Sequence, residues 1–175
     1  MIPGAPTGQR RPQAGFTLVE LTVVIVLISL FMVFSIPLFG NIGTSRLDSS
    51  ARRLAGTVKF LYNEAAMTGR EHRLTFDFEQ GSYHGRVIEV DGELVAAGDQ
   101  GRQAALKGAT RFDAIRVPGR GRFTMGQVTI RFAPTGWVDE TVIHLSDDRQ
   151  QRTLRIMPLT GTTEIYSGHR EFGSR

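Results

Sequence analysis

One carboxylate stands apart among the residues able to do chemistry. Glu20 sits at the front of an apolar run, and no charged residue follows it from Leu21 to Ser45. A carboxylate well inside lipid costs on the order of 3 kcal/mol, so such residues usually pair with a cation or serve a pathway. The other candidates read as structural. His72, His84, His144 and His169 are too widely spaced for a local metal motif, and His144 alternates within a strand pattern as a satisfied sheet residue would. Asp147-Asp148 falls at a predicted hairpin tip, where adjacent acids form solvated turns rather than a cation site. Gly119-Arg120-Gly121-Arg122 lacks the Lys-Ser/Thr ending of a phosphate-binding loop and reads as a turn or flexible hairpin tip. No Gly-x-Ser-x-Gly elbow is present. The chain has no cysteine, which excludes disulfides, thiol redox chemistry and thiolate ligation. The expectation is a chain with no catalytic residue, no metal and no cofactor: not an enzyme.

The element that positions Glu20 is the apolar stretch itself. A leader of residues 1–15 carries Pro3, Gly4, Pro6, Gly8 and Pro12, a density that holds no helix. Arg10 and Arg11 precede the apolar run and should stay cytoplasmic. A secretory signal needs an apolar core of about 7–15 residues and a small-residue cleavage site. This run is longer and has no such site after it. A plain transmembrane helix needs about 20 apolar residues, which fits, but leaves Glu20 unexplained.

Beyond the run, Leu47, Ala51, Leu54, Val58, Leu61 and Ala65 recur at alternating spacings of four and three, one helical stripe. Under three heptads long, it should pack on the protein's own sheet rather than form a coiled coil. Thr68-Gly69 is the expected helix end. A helix from Phe16 to Met67 would run roughly 78 Å at about 1.5 Å per residue. After Met67 the period becomes two. Strands are expected around Leu74–Phe78, Tyr83–Val90, Glu93–Ala97, Arg111–Val117, Val128–Phe132, Trp137–Leu145, Leu154–Ile156 and Glu164–Tyr166, separated by turn signals such as Asp91-Gly92. The fold class is therefore α+β: a long N-terminal helix, half transmembrane and half soluble, packed on an antiparallel β-sheet or sandwich. The expected boundaries are a leader at 1–15, a transmembrane helix at 16–45, its amphipathic continuation at 46–67, a β domain at 68–166 and a flexible tail at 167–175.

Gly15-Phe16-Thr17-Leu18-Val19-Glu20 resembles the cleavage site of type IV prepilins and pseudopilins. The resemblance implies that a prepilin peptidase cuts after Gly15 and that Phe16 becomes the N-methylated mature N-terminus. It implies that Glu20 pairs with the N-terminal amine of a neighbouring subunit, which would relieve the desolvation of the carboxylate. Pro37 falls where that family commonly carries a proline, and should kink or locally open the helix. Phe132-Ala133-Pro134-Thr135-Gly136, a strand to Leu145, a hairpin, Leu154-Arg155-Ile156 and Gly161 are similar to the C-terminal half of the H-type minor pseudopilins of type II secretion and of the related FimT-type minor pilins. No pattern like the major pseudopilin's calcium loop and no disulfide-bounded loop is present, which favours a minor subunit.

These resemblances imply a structural subunit at or near the tip of a secretion pseudopilus, supporting export of folded proteins. The partners implied are major and minor pseudopilins, the prepilin peptidase, an inner-membrane assembly platform, the inner membrane itself and secreted cargo. The location implied is a single-pass bacterial inner-membrane protein with a periplasmic domain. The alternative is a minor pilin of a type IV pilus with a role in DNA uptake. The net charge of +4, from 21 basic and 17 acidic residues, permits an acidic partner without demanding one. Arg102, Lys107, Arg111, Arg116, Arg120 and Arg122 form a basic middle segment that keeps a nucleic-acid partner open, although acids are interspersed and aromatic residues are sparse there.

Overall fold

The computed structural model describes residues 17–39, 46–99 and 101–172, which fall into two units, Met1–Gly43 and Thr44–Arg175. The first holds α1, Leu18–Phe39, built almost wholly of aliphatic residues and phenylalanine. Thr17 opens it: its Oγ1 accepts the Glu20 N–H at 3.2 Å, satisfying one of the backbone donors a helix start leaves unpaired. Pro37 does not end the helix, which runs on to Phe39. Gly15, Phe16 and residues 40–45, over which one continuous helix is expected from the sequence, lie outside the described residues.

The second unit begins with α2, Arg46–Thr68. All six residues of the predicted stripe are fully buried, and each larger one contributes on the order of 2 kcal/mol by leaving water. Gly69 ends the helix with φ +67°, a left-handed position that costs glycine little. Its N–H bonds Ala65 O.

Among the described residues eleven strands follow: β1 His72–Asp77, β2 Ser82–Ile88, β3 Leu94–Ala96, β4 Ala104–Ala105, β5 Arg111–Val117, β6 Gly121–Phe123, β7 Gln127–Ala133, β8 Trp137–Val138, β9 Thr141–Ser146, β10 Gln151–Ile156 and β11 Thr163–Ser167. They form two antiparallel sheets. The first has the order β3-β2-β1-β7-β8, with β4 also on β2; the second has the order β11-β10-β9-β5-β6. The inner rows, Leu74, Phe76, Ile130 and Phe132 from one sheet and Ile115, Ile143, Leu145 and Leu154 from the other, join the α2 stripe in one core. Phe76 meets Phe112 edge-on, with ring centroids 5.7 Å apart.

Three expectations are corrected. The strand expected over Trp137–Leu145 is two strands in different sheets. Asp139 makes the break: its N–H bonds Arg131 O and its Oδ2 accepts the Arg131 N–H at 3.0 Å, so the chain leaves the first sheet there and enters the second at Thr141. Gly119 and Arg120 lie in a hairpin turn as expected, but Gly121 and Arg122 are not part of the tip and pair with Val117 and Arg116. The tail, expected to fray from Ser167, is held as far as Phe172. Gly168 N–H bonds Gln151 O, Thr153 Oγ1 donates to Gly168 O at 2.8 Å and Arg116 donates to Phe172 O at 3.0 Å. A polar composition at a terminus did not reveal backbone partners supplied by β10 and β5.

Candidate assembly surface

In α1, every described side chain from Leu18 to Met32 is exposed, with Leu18 at 79 % and Phe31 at 75 %. A helix apolar on all sides needs lipid or other protein around it. Two of its described polar side chains are turned onto their own backbone: Thr22 Oγ1 donates to Val19 O at 2.7 Å and Ser29 Oγ to Ile25 O at 2.8 Å. Neither hydroxyl then needs water. Glu20 is the exception, an exposed carboxylate one turn from the start. Thr17 and Glu20 also have the spacing of a capping box, in which the acid supports the helix start and favours the positive end of its dipole. Among the residues with described side chains, no helix is both long and apolar enough to cross a membrane; in α1 those side chains stop at Met32, while the backbone helix continues to Phe39.

The other candidates are placed in the second unit, and none of them builds a reactive centre. Asp147 closes the β9–β10 hairpin: its Oδ1 accepts the N–H groups of Arg149 and Gln150, which hold its carboxyl below the usual carboxylate range. Among the described residues no group of three or more His, Asp or Glu is placed to hold a metal. The basic middle segment does not form a stripe. Arg102 pairs with Asp99, Arg111 with Asp113 and Asp148, Lys107 donates to Ser49 and Arg120 to Thr129 O.

Two histidines that the sequence gives no reason to connect do meet. His144 and His169 stack with ring centroids 4.1 Å apart. Thr153 gives its one hydroxyl proton to Gly168, so at 3.2 Å it can only accept from His144 Nδ1. Stacked faces aim no lone pairs at a common point, so the pair locks the tail rather than ligating. Burial, then the neighbouring His169 and Arg122, push the His144 pKa down, against Glu171 and Asp113. The unfolded chain therefore takes up this proton first, and stability falls as pH drops through about 6.5. His144→Phe is expected to flatten part of that slope in urea unfolding of the full chain in detergent. His84, shifted in the same direction, keeps the remainder. An unchanged slope in the variant would remove His144 from this account.

Residues 10–36 match the prokaryotic N-terminal methylation motif. Over 68 residues the chain is 44 % identical to the type II secretion system protein H of Pseudomonas aeruginosa, a match covering 38 % of this chain and 40 % of that protein. Among solved structures, the minor pseudopilin EpsH of Vibrio cholerae is similar with a TM-score of 0.59 at 13 % identity, over 74 % of this chain and 99 % of that one. E. coli GspH aligns with a TM-score of 0.54 at 10 % identity, over 73 % and 92 %. The Pseudomonas aeruginosa type IV minor pilin FimU aligns with 0.50 at 15 % identity, over 70 % and 91 %. The fold is the pilin-like α+β fold of these minor pseudopilins.

The pilin-like core also explains the Phe132-Ala133-Pro134-Thr135-Gly136 pattern and the distant Gly161. Both turns close on one side chain of α2. Tyr62 Oη shares its proton between Gly136 O at 2.9 Å and Leu159 O at 2.5 Å. Gly161, at φ +59°, packs so closely that an added Cβ would lie 2.3 Å from Tyr62 Cγ. Gly161 is there because the helix presses a tyrosine into its loop; Gly136 is set by its left-handed φ of +78°, since an added Cβ would meet Tyr62 Oη only at 3.4 Å.

Proposed function

We propose that this chain is a minor pseudopilin of a type II secretion system, a structural subunit at or near the pseudopilus tip whose work is polymerisation rather than catalysis. The observation that carries the polymerisation role is α1, a helix apolar on every described side with a single carboxylate in its first turn; the 44 % identity to a type II secretion system protein H supports the secretion assignment. Its 22 residues span about 33 Å at about 1.5 Å each, close to the roughly 30 Å of a bilayer's hydrocarbon core. The helix is the inner-membrane span before assembly and part of the filament core afterwards. Gly15 is the cleavage point and Phe16 the methylated N-terminus. Glu20 sets register through a neighbour's terminal amine, and Pro37, in the last turn of the same helix, removes one backbone donor and lets the helix open there on assembly. The β unit stands in the periplasm, toward other pseudopilins, the assembly platform and cargo, supporting export of folded proteins.

Mass spectrometry of the mature chain tests the reading. It is expected to begin at Phe16 with one added methyl group, and Gly15→Glu is expected to leave the leader attached. A chain cut elsewhere, or one still cut after position 15 in the variant, defeats the proposal. Co-purification with secretion-type rather than pilus-type subunits separates it from membership of a type IV pilus.

A further inference from the structure

The strand register builds a feature that no stretch of sequence displays. Arg73 of β1 stands directly opposite Arg86 of β2 and Arg131 of β7. The residues one step along, Leu74 and Ile130, are wholly buried, so the three arginines lie side by side on the outer face of the first sheet. Arg120 reaches the same face from the β5–β6 turn, donating to Thr129 O. A concavity there is lined by Arg73, Arg120, Thr129, Arg131 and Asp139. Trp137, 39 % exposed, pairs with Ala133 beyond the row; its neighbour Val138 is buried in the core, so the indole belongs to the outer face.

Like charges directly opposite across a ladder weaken a sheet. Only part of the repulsion is offset. Arg73 pairs with Glu71 at 2.8 Å, while Arg120 and Arg131 reach Asp139 at 3.9 and 4.0 Å. Arg86 is exposed and makes no ion pair among the described residues. Four guanidiniums thus face two carboxylates. A fold that needed only stability would not keep this row.

We propose that this face is a docking surface for the carboxylate-rich surface of a protein partner, with Arg73, Arg86, Arg120 and Arg131 as the anion-binding groups and Trp137 as the apolar anchor. Guanidinium forks match carboxylates in two-point contact. Arginine and tryptophan are the residue types that concentrate binding energy at protein interfaces. The interspersed Glu71 and Asp139 fit a partner of mixed charge better than a continuous phosphate backbone. The proposal concerns the β unit and stands apart from the filament role of α1.

The test titrates the full chain in detergent with an oligoglutamate peptide and with a single-stranded oligonucleotide of equal charge. The peptide is expected to bind in a salt-sensitive way. Arg86→Gln with Arg131→Gln should weaken it about tenfold or more, and Trp137→Ala should weaken it too. The unfolding midpoint of the arginine variant should hold or rise, because repulsion has been removed. Tighter binding of the oligonucleotide would assign the face to nucleic acid and overturn the proposal. Absence of peptide binding, or equal binding by wild type and variant, would overturn it as well.

Discussion

Glu20→Val is expected to abolish incorporation into the filament while leaving leader cleavage and membrane insertion intact. The carboxylate has two roles to separate. Locally, it stands at the capping-box position behind Thr17, whose hydroxyl already holds the Glu20 N–H. Between subunits, it is the proposed partner of a terminal amine. Glu20→Gln distinguishes them, since glutamine fits a capping box and carries no charge. If the cap were its main work, the glutamine variant would assemble normally. If the ion pair is, both variants strand an ammonium in an apolar core, a loss of about 3–5 kcal/mol, which is more than a hundredfold in association. Insertion should become easier by about 3 kcal/mol. The measurement is the fraction of subunit that crosslinks into or co-purifies with the assembled filament. Normal incorporation of both variants would end the register role.

The second large effect is expected at Gly161. Alanine there must adopt a left-handed φ of +59° and place a methyl 2.3 Å from Tyr62 Cγ. Backbone strain of about 1–3 kcal/mol adds to overpacking of about 1–3 kcal/mol. The sum is a large fraction of the stability of a typical domain, about 5–15 kcal/mol. Urea unfolding should show the loss as a shifted midpoint with an unchanged slope. Tyr62→Ala provides the control: it removes the contacts at Cγ and Cδ2 but keeps Cβ, 2.6 Å from the added methyl, so in that background Gly161→Ala should cost less than in the wild type without becoming neutral. Additive losses in the double variant would show that ring contact is not the cause.

The parts of the fold that sequence made legible are those specified locally. The α2 stripe was readable because helical periodicity and burial are the same fact stated twice. Arg111–Val117 was readable from its bounding turns. Trp137–Leu145 misled because alternation continues across Asp139, and only the hydrogen bonds between Asp139 and Arg131 reveal the change of sheet. β4 is too short to show a period and exists because β2 offers it partners. The tail was misjudged because its anchors, Thr153 and Arg116, lie on other strands. The same limit hid the arginine row: Arg73, Arg86 and Arg131 come together only through strand register, whereas in the basic middle segment register sets Arg116 opposite Arg122 and Arg120 reaches the row. Glu20 could be singled out from sequence alone because its apolar surroundings are contiguous in the chain.

The place of α2 in the second unit has a mechanical consequence. It packs against β1 and β7 of one sheet and against β9, β10 and β11 of the other, and Asp48 in its first turn is clasped by Arg152 at 2.7 Å. A pull on Arg46 along the axis of α2 loads the helix from its first turn. To withdraw lengthwise, the helix must slip its whole apolar stripe past both sheets at once, so that every contact is strained in parallel. A strand pulled from one end would instead lose its ladder bonds in succession, like a zip. The second unit is arranged to be towed by its first helix without unravelling.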